Sequence, residues 1–296
     1  MCYFSNPAVR REKHGKMTET QLNAVARSMF PHTLKLQIGC GAEPTLDKQG
    51  CLQLVTLGKQ YGVPYISLTT NGVLLTSDSL EQLVAAGLDE LTISLHGILR
   101  DTYERLMGAT SKYDAFLYLL SNIRIVKQQH PKFNVRINYT MNADNVDELA
   151  DFDSLFADVP IDQLQLRPIR KIGESEYTNF DLTHIEESMD TIIKPLSERC
   201  QNRGMTVLIP DKIHIDKFAK RQHESARSQL LSMFTYHYVG PSSYSVSDID
   251  YEHEDYPRYS KRHRIGRHIW QGIWRSERKC AEMSDGLKNA LNYDIR

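Results

Sequence analysis

Nowhere in the sequence does an apolar run approach the roughly 18 residues that suggest a membrane span, and no basic-then-apolar leader opens it. The expectation is a cytoplasmic protein with no membrane partner. Five cysteines are present, Cys2, Cys40, Cys51, Cys200 and Cys280, an odd and widely spaced set without a CxxC pair. That pattern excludes a disulfide framework and a self-contained zinc site. Taken singly, Cys40, Cys51 and Cys200 read as small buried residues. There is no GxGxxG, so a dinucleotide fingerprint is absent. No lysine falls at a strand end where a Schiff base is suggested, which leaves an aldolase-like barrel unsupported. The histidines, His214, His223 and His237 among them, form no metal-spaced set. A net charge of -1 argues against a generally nucleic-acid-binding surface and leaves only local patches open.

What is present is an alternation. An apolar fraction of 41% and a charged fraction of 25% belong to a soluble globular chain, and 296 residues make one large domain or two ordinary ones. Short apolar runs predict strands over 33–38, 65–68, 90–95, 134–140 and 163–166, with a sixth at 205–209. Between them, apolar residues at three-to-four spacing predict helices over 51–60, 79–86 and 113–129. The pair Asp78-Ser79 is a helix start and Gly87 a stop. Strands alternating with helices imply parallel pairing, because parallel neighbours need a crossover. The fold class expected is α/β, with a barrel-like rather than doubly wound sheet.

Each predicted strand runs into a polar turn: Gly39 to Thr45, Thr69 to Gly72, Ser94 to Gly97, Asn142, and Arg167 to Gly173. In a parallel barrel the loops after the strands open on one face, where chemistry collects. The side chains suit a zwitterion carrying a ribose. Glu43 accepts from an ammonium, and Pro44 keeps the backbone before it extended. Gly39 and Gly41 let the backbone come close to a ligand. Thr70, Asn71, Ser94 and Asn142 offer neutral hydrogen-bonding groups for hydroxyls and a carboxylate. The bland alternative for Glu43 is a solvated surface carboxylate.

Together these motifs resemble the radical S-adenosylmethionine (SAM) superfamily over about residues 1 to 175. Gly41-Ala42-Glu43-Pro44 is similar to that family's GGEP turn after strand two, with Ala in place of the second Gly. Thr69–Gly72 and Leu91–Gly97 look like the third- and fourth-strand motifs. Tyr103, Gly108, Tyr113 and Ile123 resemble the signature of the helices that follow, and Asn138–Leu149 looks like the fifth-strand stretch. The resemblance implies a partial (β/α)6 TIM-like parallel barrel holding SAM and a [4Fe-4S] cluster. It makes Gly41, Ala42, Glu43, Pro44, Thr70, Asn71, Ser94 and Asn142 the cofactor-binding residues, with Glu43 as the anchor of the SAM amino group. Met1-Cys2-Tyr3 resembles the end of the CxxxCxxC loop, so Cys2 is the implied metal ligand.

On this reading the first barrel strand and most of the cluster loop lie before Met1. Three thiolates leave one iron open for SAM, and an electron from an external donor cleaves it to a 5′-deoxyadenosyl radical. One thiolate does not hold a cluster, so the chain alone is not expected to perform the chemistry. It is either a fragment or mis-started reading frame of a larger enzyme, or a shortened product that has lost catalysis.

After about residue 212 the pattern changes, and the expected division is a barrel over 1–211 with a small C-terminal module over 212–296. Residues 212–229 are polar and predicted helical. Met233–Val239, Gly240-Pro241, Ile265-Gly266 and Ile273–Ser276 are similar to the ending of the SPASM-type subfamily. Those proteins place auxiliary clusters there and often modify peptides, which makes a peptide one implied class for an otherwise unidentified substrate. With only Cys280 nearby, a relic without an auxiliary cluster is expected. Eight Lys or Arg between Arg258 and Lys279 surround Trp270 and Trp274. The bland expectation packs both tryptophans inward on one helix face, with the acids of 248–255 neutralising the charge. The competing function is a non-catalytic barrel that binds a peptide or nucleic acid through this basic face.

Overall fold

A computed structural model describes residues 7–12, 15–39, 41–108, 112–170, 177–210, 237–241 and 249–280. Along the chain run α1 (Pro7–Glu12), α2 (Glu19–Met29), β1 (Lys35–Ile38), α3 (Lys48–Gln60), β2 (Tyr65–Thr70), α4 (Ser77–Ala85), β3 (Glu90–Leu95), α5 (Arg100–Met107) and α6 (Lys112–Gln129). They continue with β4 (Asn134–Met141), α7 (Phe152–Phe156), β5 (Gln163–Pro168), α8 (Thr183–Glu187), α9 (Lys194–Asn202), β6 (Thr206–Leu208), α10 (Tyr256–Arg262) and α11 (Ile265–Trp274). The elements fall into two compact units, one of residues 1–7 and 34–215 and the other of 8–33 and 216–296.

The first unit is built on a six-stranded parallel sheet in the order β1-β2-β3-β4-β5-β6, an α/β partial barrel. Every strand pairs with its sequence neighbour, as crossovers of one hand require. The strands have two distinct faces, because side chains alternate with a period of two. On one face Ile66, Leu68, Leu91, Ile93, Leu95, Val135, Ile137, Tyr139, Met141 and Leu164 are buried, each with no exposed surface. Covering one such side chain contributes about 1.5–3 kcal/mol. The helices supply the other half of this layer, with Leu80, Phe116, Leu119, Ile123, Phe152 and Phe156. The opposite face is polar, carrying Lys35, Gln37, Ser67, Thr69, Glu90, Thr92, Ser94, Asn134, Arg136, Asn138, Gln163 and Gln165. Register aligns them in rows, such as Thr92 opposite Arg136 and Ser94 opposite Asn138, itself opposite Gln165.

Local chemistry sets the helix ends. Helix α4 begins at Ser77 rather than at Ser79, because Thr76 is the cap and Ser79 completes a capping box with it. Asp47 caps α3 by accepting from the Gly50 amide at 3.2 Å.

At the edge where the strands begin, one device occurs twice. The carboxylate of Asp89, just before β3, accepts from Lys59 Nζ of α3 at 2.6 Å and from the Ile66 amide of β2 at 2.7 Å. Asp162, just before β5, accepts from Lys127 Nζ of α6 at 2.7 Å and from the Val135 amide of β4 at 2.7 Å. Each aspartate therefore ties the preceding helix and strand to the strand that follows.

Two thiols are sealed in this unit. Cys51 is 4% exposed and donates to the Pro44 carbonyl at 3.2 Å, and burial, then Asp47 and Glu43, pushes its pKa up to about 12. Cys200 is fully buried, and burial followed by Asp153 pushes it up to about 11. The thiolate is the reactive form, so neither residue is expected to label with a maleimide at pH 8 until the fold opens. Mass spectrometry of labelled peptides with and without denaturant checks this, and rapid native labelling of either would refute it.

In the second unit the regular elements among the described residues are helices. Ser28 Oγ of α2 donates to the Glu254 carbonyl at 2.7 Å, and the rings of His32 and Tyr256 meet at 5.7 Å. So residues 8–33 associate with residues far along the chain. The inward packing expected for the tryptophans is wrong: Trp270 is 65% exposed and Trp274 71%. Helix α11 buries Ile265 and Gly272 instead, which turns the 270–274 edge outward. The expected neutralisation holds in part: Glu254 pairs with Arg262 at 2.7 Å and Asp255 with Arg258 at 4.0 Å, whereas Asp250 is committed to His253 at 3.0 Å. The stretch 212–229, predicted helical, and Met233 lie outside the described residues. Among the described residues no helix is long and apolar enough to cross a membrane.

Candidate functional site

The polar turns open where the strands end, and the first of them is held by Glu43. Its Oε1 accepts from the Thr45 amide at 3.0 Å, from the Thr45 hydroxyl, and from the Thr70 hydroxyl at 2.5 Å. Its Oε2 accepts from the Asn71 amide at 2.8 Å. A carboxylate has about four lone-pair positions, so Oε1 is filled and Oε2 keeps one free. Glu43 is thus not a solvated surface acid. It is a cross-link between the loop after β1 and the end of β2. Pro44 starts a short 3-10 turn, Gly41 and Pro44 are half-buried, and Ala42 is exposed beside them.

Gly39 is required for a reason other than ligand approach. Its φ of +81° lies in the left-handed region, and a Cβ there would come within 2.6 Å of the Thr69 carbonyl oxygen. The glycine lets the β1 loop lie against β2, which brings Glu43 to Thr70.

Thr70 is buried, and its hydroxyl also accepts from the Gly72 amide at 2.9 Å. Asn71 Oδ1 accepts from the Val73 amide at 3.0 Å, so this side chain shapes its own turn. Thr70 is in register with Ile93, which places Ser94 one residue beyond the Glu43–Thr70 lock on the neighbouring strand. The Ser94 hydroxyl is half-buried and has no hydrogen-bond partner among the described residues. Two residues on, His96 Nδ1 is closed off from solvent and has no hydrogen-bond partner among the described residues. Burial first, and then nearby positive charge including Arg167, pulls the His96 pKa down to about 4 and keeps the ring neutral near pH 7.

Asn142 is placed differently from Ser94. It is fully buried at the end of β4, and its Oδ1 accepts from the Asp144 amide at 2.8 Å. Its amide donates to Asn145 Oδ1 at 2.8 Å, and Asn145 Nδ2 reaches the carbonyls of His96 and Thr140 at 2.9 Å. Asn145 therefore joins the ends of β3 and β4. Glu148 adds a second clasp, accepting from the amides of Ile98 and Leu99 at 2.8 and 3.1 Å. Neither Asn145 nor Glu148 stood out in the sequence, since the partners lie up to 50 positions away.

The aromatic signature is structural. Tyr103 is fully buried and stacks on Phe116 at 5.1 Å, and Tyr113 donates to the Ile98 carbonyl at 2.6 Å. Gly97 admits this packing, because a Cβ there would lie 2.6 Å from the Tyr103 amide nitrogen. Gly108 ends α5 in the left-handed conformation.

Deeper on the polar face Tyr65 donates to Glu90 at 3.0 Å, and Thr92 donates to the same carboxylate at 3.1 Å. Arg136, also missed in the sequence, donates to Asn138 Oδ1 at 3.0 Å and to Gln165 Oε1. Its signal was legible in the alternation Asn134, Arg136, Asn138, Thr140 against Val135, Ile137, Tyr139, Met141.

The rim fits a zwitterionic ligand. Among the described residues one Glu43 lone pair and the half-buried Ser94 hydroxyl are left without partners at the rim, and the His96 nitrogen is buried without one, which is costly. An iron–sulfur cluster is not accounted for by the described residues, since no group of three or more His, Cys, Asp or Glu among them is placed to hold a metal ion. Cys2, the expected metal ligand, and Cys40 lie outside the described residues.

Comparison with known proteins agrees with this arrangement. A family model described as Radical SAM superfamily matches residues 1–156. A probable GTP 3′,8-cyclase of Saccharolobus solfataricus is 32% identical over 188 residues, covering 62% of this chain and 58% of that protein. Its counterpart in Sulfurisphaera tokodaii is 24% identical over 205 residues, covering 69% and 62%. The chain therefore spans about three fifths of the length of these relatives. Among solved structures, native anSMEcpe with bound AdoMet superposes with a TM-score of 0.55 at 15% identity, covering 70% of this chain and 58% of that one. Streptococcus suis SuiB bound to precursor peptide SuiA gives 0.50 at 16%, covering 72% and 46%. At such identities the likeness is one of fold.

Proposed function

The chain belongs to the radical SAM superfamily, and from that premise we propose that its rim binds SAM while the polar inner face receives an anionic substrate. Membership implies SAM and a [4Fe-4S] cluster as cofactors. When bound, the cluster supplies the electron that cleaves SAM to a 5′-deoxyadenosyl radical, with Cys2 as one thiolate ligand. The residues of this chain bind and orient. The free lone pair of Glu43 Oε2 receives the SAM ammonium, backbone at Gly41 and Ala42 lies alongside it, and Ser94 donates to the carboxylate. Thr70, Asn71, Pro44 and Asn142 hold the loops that carry these groups.

One observation supports the substrate class. Arg136 is half-buried, yet its partners are two neutral amide oxygens, and among the described residues no carboxylate lies within 4.0 Å of it. A partly desolvated guanidinium without a counter-ion is unfavourable until an anion completes it. The relatives are described as acting on GTP, and a nucleoside triphosphate carries suitable charge. A second reading is a peptide, since solved neighbours include peptide complexes, and an acidic side chain would meet the same arginine.

Calorimetric titration of the chain with SAM, GTP and an acidic peptide separates these. Arg136→Met is expected to weaken GTP by roughly ten- to a hundredfold, the worth of a charged hydrogen-bond pair, and to leave SAM binding unchanged. Absence of GTP binding with SAM binding retained would sink the nucleotide reading, and peptide binding that depends on Arg136 would establish the second. The activity itself is tested by 5′-deoxyadenosine release after anaerobic reconstitution with iron and sulfide.

A further inference from the structure

We propose that α10 and α11 form a binding site for single-stranded nucleic acid, with a basic pocket for phosphate and an exposed tryptophan pair for bases. The pocket lies within the second unit, has a volume of about 450 Å³, and is lined by His32, Tyr256, Ser260, Lys261, Arg264 and Arg267. From Tyr256 to Cys280 there are eight Lys or Arg and one acid, Glu277. The nearest acidic segment does not cancel the pocket. Glu254 pairs with Arg262 and Asp255 caps α10 through the Arg258 amide. Among the described residues no carboxylate lies within 4.0 Å of Lys261, Arg264 or Arg267, since the acids of this segment pair with Arg258 and Arg262. The chain's net charge of -1 hides this patch, because it sums over both units.

Arg264 stands in an unusual conformation. At φ +51° it is the one non-glycine residue with positive φ among the described residues, a position that an arginine occupies only under constraint. It sits at the start of α11, where it turns the chain between the two helices and contributes to the pocket wall. Glycine would serve the turn with less strain, so the arginine side chain has another use. The cations also act on one another's surroundings: burial first, then Arg267, Arg264 and Arg275, pulls the His268 pKa down.

The tryptophans continue the same face. Arg267, Trp270 and Trp274 are spaced three and seven residues apart, so they line one side of α11. Trp270 and Trp274 contact each other at 5.7 Å with their planes tilted by 51°, and Ile273 beside them is 46% exposed. A membrane-surface helix segregates its cations from its apolar residues. Here Arg267 shares the tryptophan side, as in proteins that neutralise a backbone while stacking its bases. The site involves no residue of the SAM rim and stands or falls apart from that reading.

The two tryptophans are the only ones in the chain, so intrinsic fluorescence reports on this helix alone. The full chain is titrated with oligo(dT) and oligo(rU) of about ten nucleotides, with inorganic triphosphate, and with vesicles containing phosphatidylserine. Both oligonucleotides are expected to quench the emission, with an affinity that falls with salt at a logarithmic slope of about -2 for three neutralised phosphates. Arg264→Gly is expected to bind roughly tenfold more weakly while melting no lower than wild type, because glycine fits the left-handed backbone. Trp274→Ala is expected to lose roughly tenfold by anisotropy of a labelled oligonucleotide. Triphosphate binding without oligonucleotide quenching, a blue shift on vesicles alone, or an Arg264→Gly variant that binds like wild type would each overturn the proposal.

Discussion

Replacing Glu43 by Gln is expected to destabilise the first unit by about 3 kcal/mol and to abolish measurable SAM binding. The carboxylate serves four donors from two loops, the Thr45 amide and hydroxyl, the Thr70 hydroxyl and the Asn71 amide. Hydrogen bonds to a charged group contribute about 1.5–3 kcal/mol each, and a buried donor left unmet costs about 1–3 kcal/mol. Glutamine keeps one acceptor oxygen for the three donors at Oε1 but turns an NH2 toward the Asn71 amide, so donor faces donor. At about 2–4 °C per kcal/mol for a chain of this order of size, the melting midpoint should fall by roughly 6–12 °C. Thr70→Val separates the lock from the ligand contact. It removes one donor to Glu43 and the acceptor for the Gly72 amide, costs about half as much, and leaves Oε2 in place as the proposed acceptor of the ammonium. Wild-type melting of Glu43→Gln would mean that the four short contacts do not stabilise the loops. Loss of SAM binding in both variants alike would mean that loop position, and not the Glu43 oxygen, decides binding.

The strands were legible because alternation with a period of two survives in each of them, most plainly in Asn134–Met141. The rim was legible because a glycine, an acid and a proline in that order leave few conformations. What could not be read was who meets whom at long range. Asn145 and Glu148 look like ordinary loop and helix-start residues until His96 and Ile98 come beside them from 49 and 50 positions away. The tryptophans misled for a related reason. Spacing of four places Trp270 and Trp274 on one side of a helix, and only the burial of Ile265 and Gly272 says that the side faces out. Residues 8–33 carry no local mark of their association with residues beyond 216. The site shares this division. Its loop chemistry was visible in the motifs, whereas the lock on Glu43 and the unbalanced charge of Arg136 depend on neighbouring strands.

The second large effect is expected at the opposite end of the strands, where Asp162→Ala should cost about 2–4 kcal/mol and Asp89→Ala clearly less. Both aspartates bind a helix lysine and a strand amide in the same way, so geometry does not distinguish them. Burial of the lysine does. The Lys127 side chain is 11% exposed and that of Lys59 is 32% exposed. Removing a partner is most costly when it leaves a buried charge uncompensated. Lys127 keeps the Phe133 carbonyl at 2.8 Å but loses the one carboxylate that pairs with it among the described residues, whereas Lys59 turns to water. The orphaned ammonium makes a further result predictable. The double variant Lys127→Met with Asp162→Ala should recover part of the loss, because an apolar pair in place of a buried ion pair is often near neutral. What remains lost is the partner of the Val135 amide, about 1 kcal/mol. Urea unfolding of the three variants beside the wild type, with slopes compared so that only midpoints are read as stability, provides the test. Equal losses for Asp89→Ala and Asp162→Ala, or a double variant no better than Asp162→Ala, would show that the clasp acts through the backbone amide and not through the buried lysine.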